Sequence, residues 1–262
     1  MDLRLTGKSA LVTGGTSGIG LAIARKLGEE GCTVTVCGRD PARLAQSLDE
    51  LRAHDVRCHG VTADMNAPAE IAALVQATIA AAGRIDIVVS NAGTHLQGPL
   101  QQVTTQQLES HLRTKILGPW ELARQVAPHM RAQGGGRFIV IIGQAGKVPG
   151  AQVIASAISN AAQHAFVKSL SDDLGRDNIL VNAVCPSRIA SPLTDKLTLF
   201  NEHYLGRSLE QQETQWGADV PLGRWGVPED IANAVAFIAS ERAGFIVGSN
   251  IDVDGGYQRS IF

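Results

Sequence analysis

The run TGGTSGIG, Thr13 to Gly20, constrains this chain more than any other feature. It stands between a strand-length apolar run, SALVT (9–13), and a helical pattern, IGLAIARKL (19–27). Glycines at 14, 18 and 20 permit a tight turn and let the backbone approach a pyrophosphate closely. The phosphates then meet the unpaired N–H groups and positive dipole end of the following helix. With Thr16, Ser17 and Ile19 between them, Gly14, Gly18 and Gly20 form a candidate dinucleotide cradle. A glycine-rich turn alone carries little; its place between strand and helix gives it meaning.

The rest of the chain repeats that alternation. Strand candidates are TVTVC (33–37), RCHGV (57–61), DIVVS (86–90), RFIVII (137–142), LVNAV (180–184) and NIDVD (250–254), with helical patterns such as PARLAQSLDELR (41–52) and APAEIAALVQATIAAAG (67–83) between them. Repeated βαβ units imply an α/β fold, a Rossmann-like doubly wound parallel sheet of about seven strands with helices on both faces. No linker or composition shift divides the 262 residues, so one domain over 1–262 is expected. The loop 143–152 and the long segment 191–220 follow the fifth and sixth strands and so lie where such a sheet places ligands. Leu193, Leu197, Leu199, Phe200, Tyr204 and Leu205 make 191–220 a candidate flap over a partly apolar small-molecule substrate.

Composition excludes several partners. A formal charge of −2 with scattered Lys and Arg supplies no basic field for nucleic acid. The four cysteines show no metal-ligand or disulfide spacing, so no metal is expected. The opening stretch MDLRLTGKSALVTGG has neither a signal pattern nor a membrane-spanning run, which favours a cytoplasmic location and no membrane association.

The second strand ends in Cys37-Gly38-Arg39. An acid at this point commonly takes the ribose hydroxyls of NAD. Gly38 offers no carboxylate to repel a 2′-phosphate, and the Arg39 guanidinium can pair with that phosphate or stack on adenine. NADP(H) is therefore favoured over NAD(H).

These motifs together resemble the short-chain dehydrogenase/reductase family. Thr13 to Gly20 is similar to its TGxxxGxG turn, Ser90-Asn91-Ala92-Gly93 to its NNAG segment, and Ala63-Asp64-Met65 to its adenine-contacting region. Asn182 to Pro186 resembles its NxVxPG strand end, with the PG pair changed to Pro186-Ser187, and PLGRWGVPEDIANAVAFIAS and VDGG resemble its C-terminal helix and strand. The resemblance implies that Asp64 and Met65 border adenine, that Asn91, Ala92 and Gly93 lie beside the ribose, and that Ile189 approaches the nicotinamide carboxamide.

It also exposes a departure. The family's catalytic helix carries Tyr-x-x-x-Lys, and registering YxASKAA on SAISNAA puts Ser156 at the Tyr position and Asn160 at the Lys position. Gly143 stands where the family has its Ser, and Lys115 where it has its Asn. The ordinary Tyr-Lys mechanism is then impossible. Loss of general acid assistance costs about 10²- to 10⁴-fold in rate, or roughly 3 to 5 kcal/mol of barrier. Lys115 and Asn160 look like an exchanged pair, so an ammonium reaches the same space from the opposite helix. Lys115 is thus expected as acid or electrostatic stabiliser, with Ser156 and Asn160 as hydrogen-bond groups.

His95, Lys147 and Arg188 are weaker pocket candidates, read first as solvated loop residues, and His164 is read as a packing or subunit-contact residue. Three functions stay open: an NADP(H)-binding oxidoreductase for a carbonyl or alcohol with unusual proton delivery, a non-redox lyase or isomerase in the same pocket, and a catalytically silent nucleotide-binding or regulatory protein. The resemblance further implies a homo-oligomer, tetramer or dimer, built through the helices of 104–132 and 153–175.

Overall fold

In a computed structural model, residues 1–191, 206, 208, 211, 214 and 218–259 are described. All seven expected strands are present: β1 Ser9–Thr13, β2 Thr33–Gly38, β3 Cys58–Thr62, β4 Ile87–Ser90, β5 Gly136–Ile141, β6 Ile179–Pro186 and β7 Asn250–Val253. They form one sheet in the order β3-β2-β1-β4-β5-β6-β7, and every pairing is parallel. The winding reverses between β1 and β4, the crevice where doubly wound sheets hold ligands.

The alternation of side chains explains why both faces are covered. Along β1, Ala10 and Val12 enter one core while Leu11 enters the other; along β5, Ile139 and Ile141 enter the first while Phe138 and Val140 enter the second. Helices α1 (Gly18–Glu29), α2 (Pro41–Ala53) and α7 (Pro228–Ala239) close the first face through Ile23, Leu27, Leu44, Ile231 and Val235. Helices α3 (Pro68–Ala82), α5 (Gly118–Ala132) and α6 (Ile154–Leu174) close the second through Leu74, Leu122, Met130 and Val167.

Local chemistry sets the ends of these helices. Asp40 accepts hydrogen bonds from the Ala42 and Arg43 backbone N–H groups and so caps α2, whose first residue is Pro41. Gly83, at φ 74°, terminates α3 in the left-handed conformation. Thr104 and Gln107 form a capping box that starts α4 (Thr105–Leu112). The expected helical stretch 104–132 is not one regular helix. Between α4 and α5 the chain makes a π turn, Arg113–Leu117, the wider winding that often marks functional positions, and Lys115 sits within it.

The candidate flap over 191–220 lies for the most part outside the described residues. Among the described residues no helix is long and apolar enough to cross a membrane, and no group of His, Cys, Asp and Glu is arranged to hold a metal ion.

Candidate active site

The site forms where the loops after β1, β4 and β5 meet α4, the π turn and α6. The cradle after β1 is shaped by glycines that nothing larger can replace. Gly14 and Gly18 have φ of 65° and 52°, and a β-carbon on Gly14 would stand 2.9 Å from the Ala92 Cα. On Gly20 it would collide with the Gly14 carbonyl oxygen. The Asn91 amide donates to the Thr13 and Gly14 carbonyl oxygens at 3.0 and 3.2 Å, and Thr13 Oγ1 accepts from the Asn91 and Ala92 N–H groups, both at 3.0 Å. Asn91 therefore braces the cradle from β4. Helix α1 opens without a side-chain cap from Ser17 and with no acid in its first turn, which leaves its N–H groups and dipole for an anion.

The neighbouring residues extend this surface. Gly38 packs against Thr16, where a β-carbon would meet Thr16 Cγ2 at 2.6 Å. Arg39 is exposed and forms no ion pair among the described residues, since the adjacent Asp40 is engaged in capping α2. Asp64 accepts from the Asn66 N–H at 2.9 Å, Met65 is buried beneath the turn, and Ile189 is buried beside Gly226. A pyrophosphate fits the cradle, and a 2′-phosphate has an available cation in Arg39.

On α6, Ser156, Ser159 and Asn160 are all buried. The Ser156 hydroxyl donates to the Leu96 carbonyl at 3.2 Å, accepts from the Leu96 N–H at 3.3 Å, and lies 3.4 Å from His95 Nδ1. Rather than pointing freely at a substrate, it ties the loop after β4 to α6. Asn160 Oδ1 is buried with no hydrogen-bond partner among the described residues, while its Nδ2 would lie 3.0 Å from a β-carbon on Gly143. An unsatisfied buried acceptor is costly, and a ribose hydroxyl is a donor that satisfies it.

Lys115 faces this helix from the π turn. Its side chain runs along Gly93, where a β-carbon would meet Cδ at 3.0 Å and Nζ at 3.3 Å. It is half-buried and has no ion pair among the described residues. Lost hydration pulls its pKa down to about 8.

His111 and Ser159 join the site although no motif pointed to them. His111 is buried, with Nε2 3.0 Å from Ser159 Oγ and Nδ1 3.5 Å from Thr94 Oγ1. The Ser159 hydroxyl donates to the Ser156 carbonyl at 3.1 Å, so its oxygen accepts from His111 Nε2–H; His111 Nδ1 then accepts from Thr94. Burial, followed by the Lys115 charge, lowers the His111 pKa to about 4. Burial, then His111 and Lys115, do the same for His95. The available signal was spacing: a histidine one helical turn before Lys115, and a serine three residues after Ser156.

Three expectations need correction. His95 is not a solvated loop residue, because the Ser156 contact draws it into the site. Lys147 cannot offer a free charge to substrate: its ammonium lies 2.6 and 2.7 Å from the two carboxylate oxygens of Asp252 on β7. Arg188 is likewise engaged, donating to the Tyr257 hydroxyl at 2.9 Å with its guanidinium over that ring. His164 packs as expected, its Nδ1 2.8 Å from Asn250 Oδ1. The altered Pro186-Ser187 pair has a local partner, the Ser187 hydroxyl donating to Gln144 Oε1 in the loop that begins at Gly143.

A seven-stranded parallel sheet with this cradle and this brace is the architecture of a dinucleotide-dependent oxidoreductase, and the chain belongs to the short-chain dehydrogenase/reductase family. The family profile described as enoyl-(acyl carrier protein) reductase matches residues 14–258. The chain is 36% identical over 255 residues to a protein assigned as a ketoacyl reductase in Streptomyces coelicolor, covering 94% of this chain and 95% of that one. Among solved structures it resembles a point variant of actinorhodin polyketide ketoreductase with NADPH, with TM-score 0.94, 33% identity, and 97% and 98% of the two chains covered. It also resembles L-sorbose reductase from Gluconobacter frateurii complexed with NADPH and L-sorbose, with TM-score 0.93, 30% identity and both chains covered in full.

Proposed function

We propose that this chain is an NADP(H)-dependent oxidoreductase, a single functional domain that interconverts a carbonyl and an alcohol on a small, partly apolar substrate without the family's Tyr-Lys pair. The observation that carries this reading is the Lys115 ammonium, lying along Gly93 of the segment beside the expected ribose, with no carboxylate among the described residues to hold it. Gly14, Gly18 and Gly20 hold the pyrophosphate, Arg39 takes the 2′-phosphate, and Asn160 Oδ1 accepts a ribose hydroxyl. The NADPH-bound relatives support this cofactor. When bound, the nicotinamide supplies hydride. Lys115, with a pKa near 8, is a stronger acid than an ordinary lysine and protonates or electrostatically stabilises the developing alkoxide.

Exposed apolar groups on the helices of the expected interface support a homo-oligomer: Leu117, Trp120 and Ile158 are each about half exposed, and Trp120 packs on Phe166 at 6.3 Å. One observation favours a second reading, a silent nucleotide-binding protein: the Ser156 hydroxyl gives its proton to the Leu96 carbonyl rather than to a substrate.

The deciding experiment titrates NADPH and NADH by fluorescence, then screens carbonyls for NADPH oxidation. Turnover that drops in Lys115→Met supports the oxidoreductase, and binding without turnover on a broad panel supports the silent reading. Absence of nucleotide binding defeats both. In the companion variant Ser156→Tyr with Asn160→Lys and Gly143→Ser, a gain of reductase activity shows that only those groups were missing.

A further inference from the structure

The geometry points to a second use of Lys115: its side-chain amine captures an aldehyde or ketone in the pocket as an imine, with no hydride transfer. This goes beyond the reductase reading, in which the same group serves as an ammonium acid.

Three observations carry it. The Lys115 side chain is laid along Gly93 of the loop after β4, and the π turn that carries it packs against α6. Among the described residues, every titratable group that faces it is neutral or would be cationic: His95 on the loop after β4 and His111 on α4, while α6 presents the uncharged Ser156, Ser159 and Asn160. No carboxylate near it, among the described residues, retains the amine in its charged form. A lysine amine in such a setting is a carbonyl nucleophile. With its pKa at about 8, half of the Lys115 side chains are neutral at that pH, against about 1 in 300 for an ordinary lysine.

The step balances without an oxidant or reductant. The amine lone pair attacks the carbonyl carbon, a C–N bond forms, and the carbonyl π pair moves to oxygen. A proton passes from the new ammonium to that oxygen and gives the carbinolamine, whose hydroxyl can donate to the unpartnered Asn160 Oδ1. The hydroxyl then takes a proton from solvent water and departs as water while the nitrogen lone pair forms the C=N bond, and the iminium returns its N–H proton to solvent, so no net proton is consumed.

The test uses the unmodified, nucleotide-free chain, butanal as the carbonyl and cyanoborohydride to fix any imine, followed by peptide mass mapping. Lys115 is expected to acquire the butyl mark at least about ten-fold faster than Lys168, an exposed lysine near Asp172 on α6. Its labelling rate should rise with pH and level off above about 8. Labelling of Lys168 as fast as Lys115, or a Lys115 rate that does not rise with pH, overturns the proposal. Both lysines compete within one folded molecule, so no variant's stability enters the result. With NADPH absent, failure of the reductase reading leaves this outcome unchanged, and the converse holds.

Discussion

The Lys115 side chain lies across Gly93, with Nζ 3.3 Å and Cδ 3.0 Å from where a β-carbon on that glycine would stand. A side chain there would push the amine, so Gly93 sets where Lys115 rests. Gly93→Ala should displace the flexible end of Lys115 by a few tenths of an ångström. Its cost in stability should stay within about 1 kcal/mol because no backbone is in the way. NADPH-dependent turnover should fall about ten-fold in steady-state assays, while the thermal midpoint moves little.

Burying a cation opposes folding, and Lys115 does so without a compensating partner among the described residues. Its pKa falls from 10.5 to about 8 on folding. The unfolded chain therefore binds more protons between those values, and wild-type stability rises with pH across that window. Lys115→Met should stabilise the protein at neutral pH by about 1–3 kcal/mol while lowering turnover, and the gain should shrink as pH climbs past 8. Urea unfolding of both proteins at several pH values checks the sign.

His95 and His111 act in the opposite pH range. Both imidazoles are held neutral on folding, with pKa values lowered from 6.5 to about 4. The unfolded state takes up protons first, so stability is complete above 6.5 and declines as pH falls toward 4. The double variant His95→Asn, His111→Asn should show a flatter decline over that interval in thermal denaturation. A decline as steep as wild type would mean that other groups drive the acid transition.

Arg39 lies on the surface with no ion pair among the described residues, so its removal should leave folding untouched. Arg39→Ala should weaken NADPH about 10- to 100-fold and NADH less than about three-fold, the size of one charge-assisted contact to phosphate. Calorimetric titration of both nucleotides measures the ratio.

Much of this molecule was readable from one dimension. The seven strands and the cradle at Thr13–Gly20 are carried by local patterns: apolar runs of strand length, glycines at fixed offsets and Pro41 at the first turn of α2. The expected exchange of Lys115 and Asn160 likewise came from registering the chain on the family it resembles. Every strand after β1 departs by a residue or two from its expected limits, β6 running on to Pro186, because the first and last hydrogen bonds of a parallel strand depend on its neighbours. The partners of Lys147 and Arg188 could not be foreseen, since Asp252 and Tyr257 lie far along the chain and only the packing of β7 beside β6 brings them near.

What the sequence by itself determined, then, is the sheet, its cradle and the absence of a Tyr-Lys pair, because these depend on short-range periodicity and on side-chain chemistry. Only the tertiary structure decided what surrounds those positions. The π turn aims Lys115 at Gly93, His111 links α4 to α6 through Ser159, and Ser156 is consumed by Leu96. Each of these follows from how elements distant in sequence pack, and with them the loss of water that changes the acidity of Lys115.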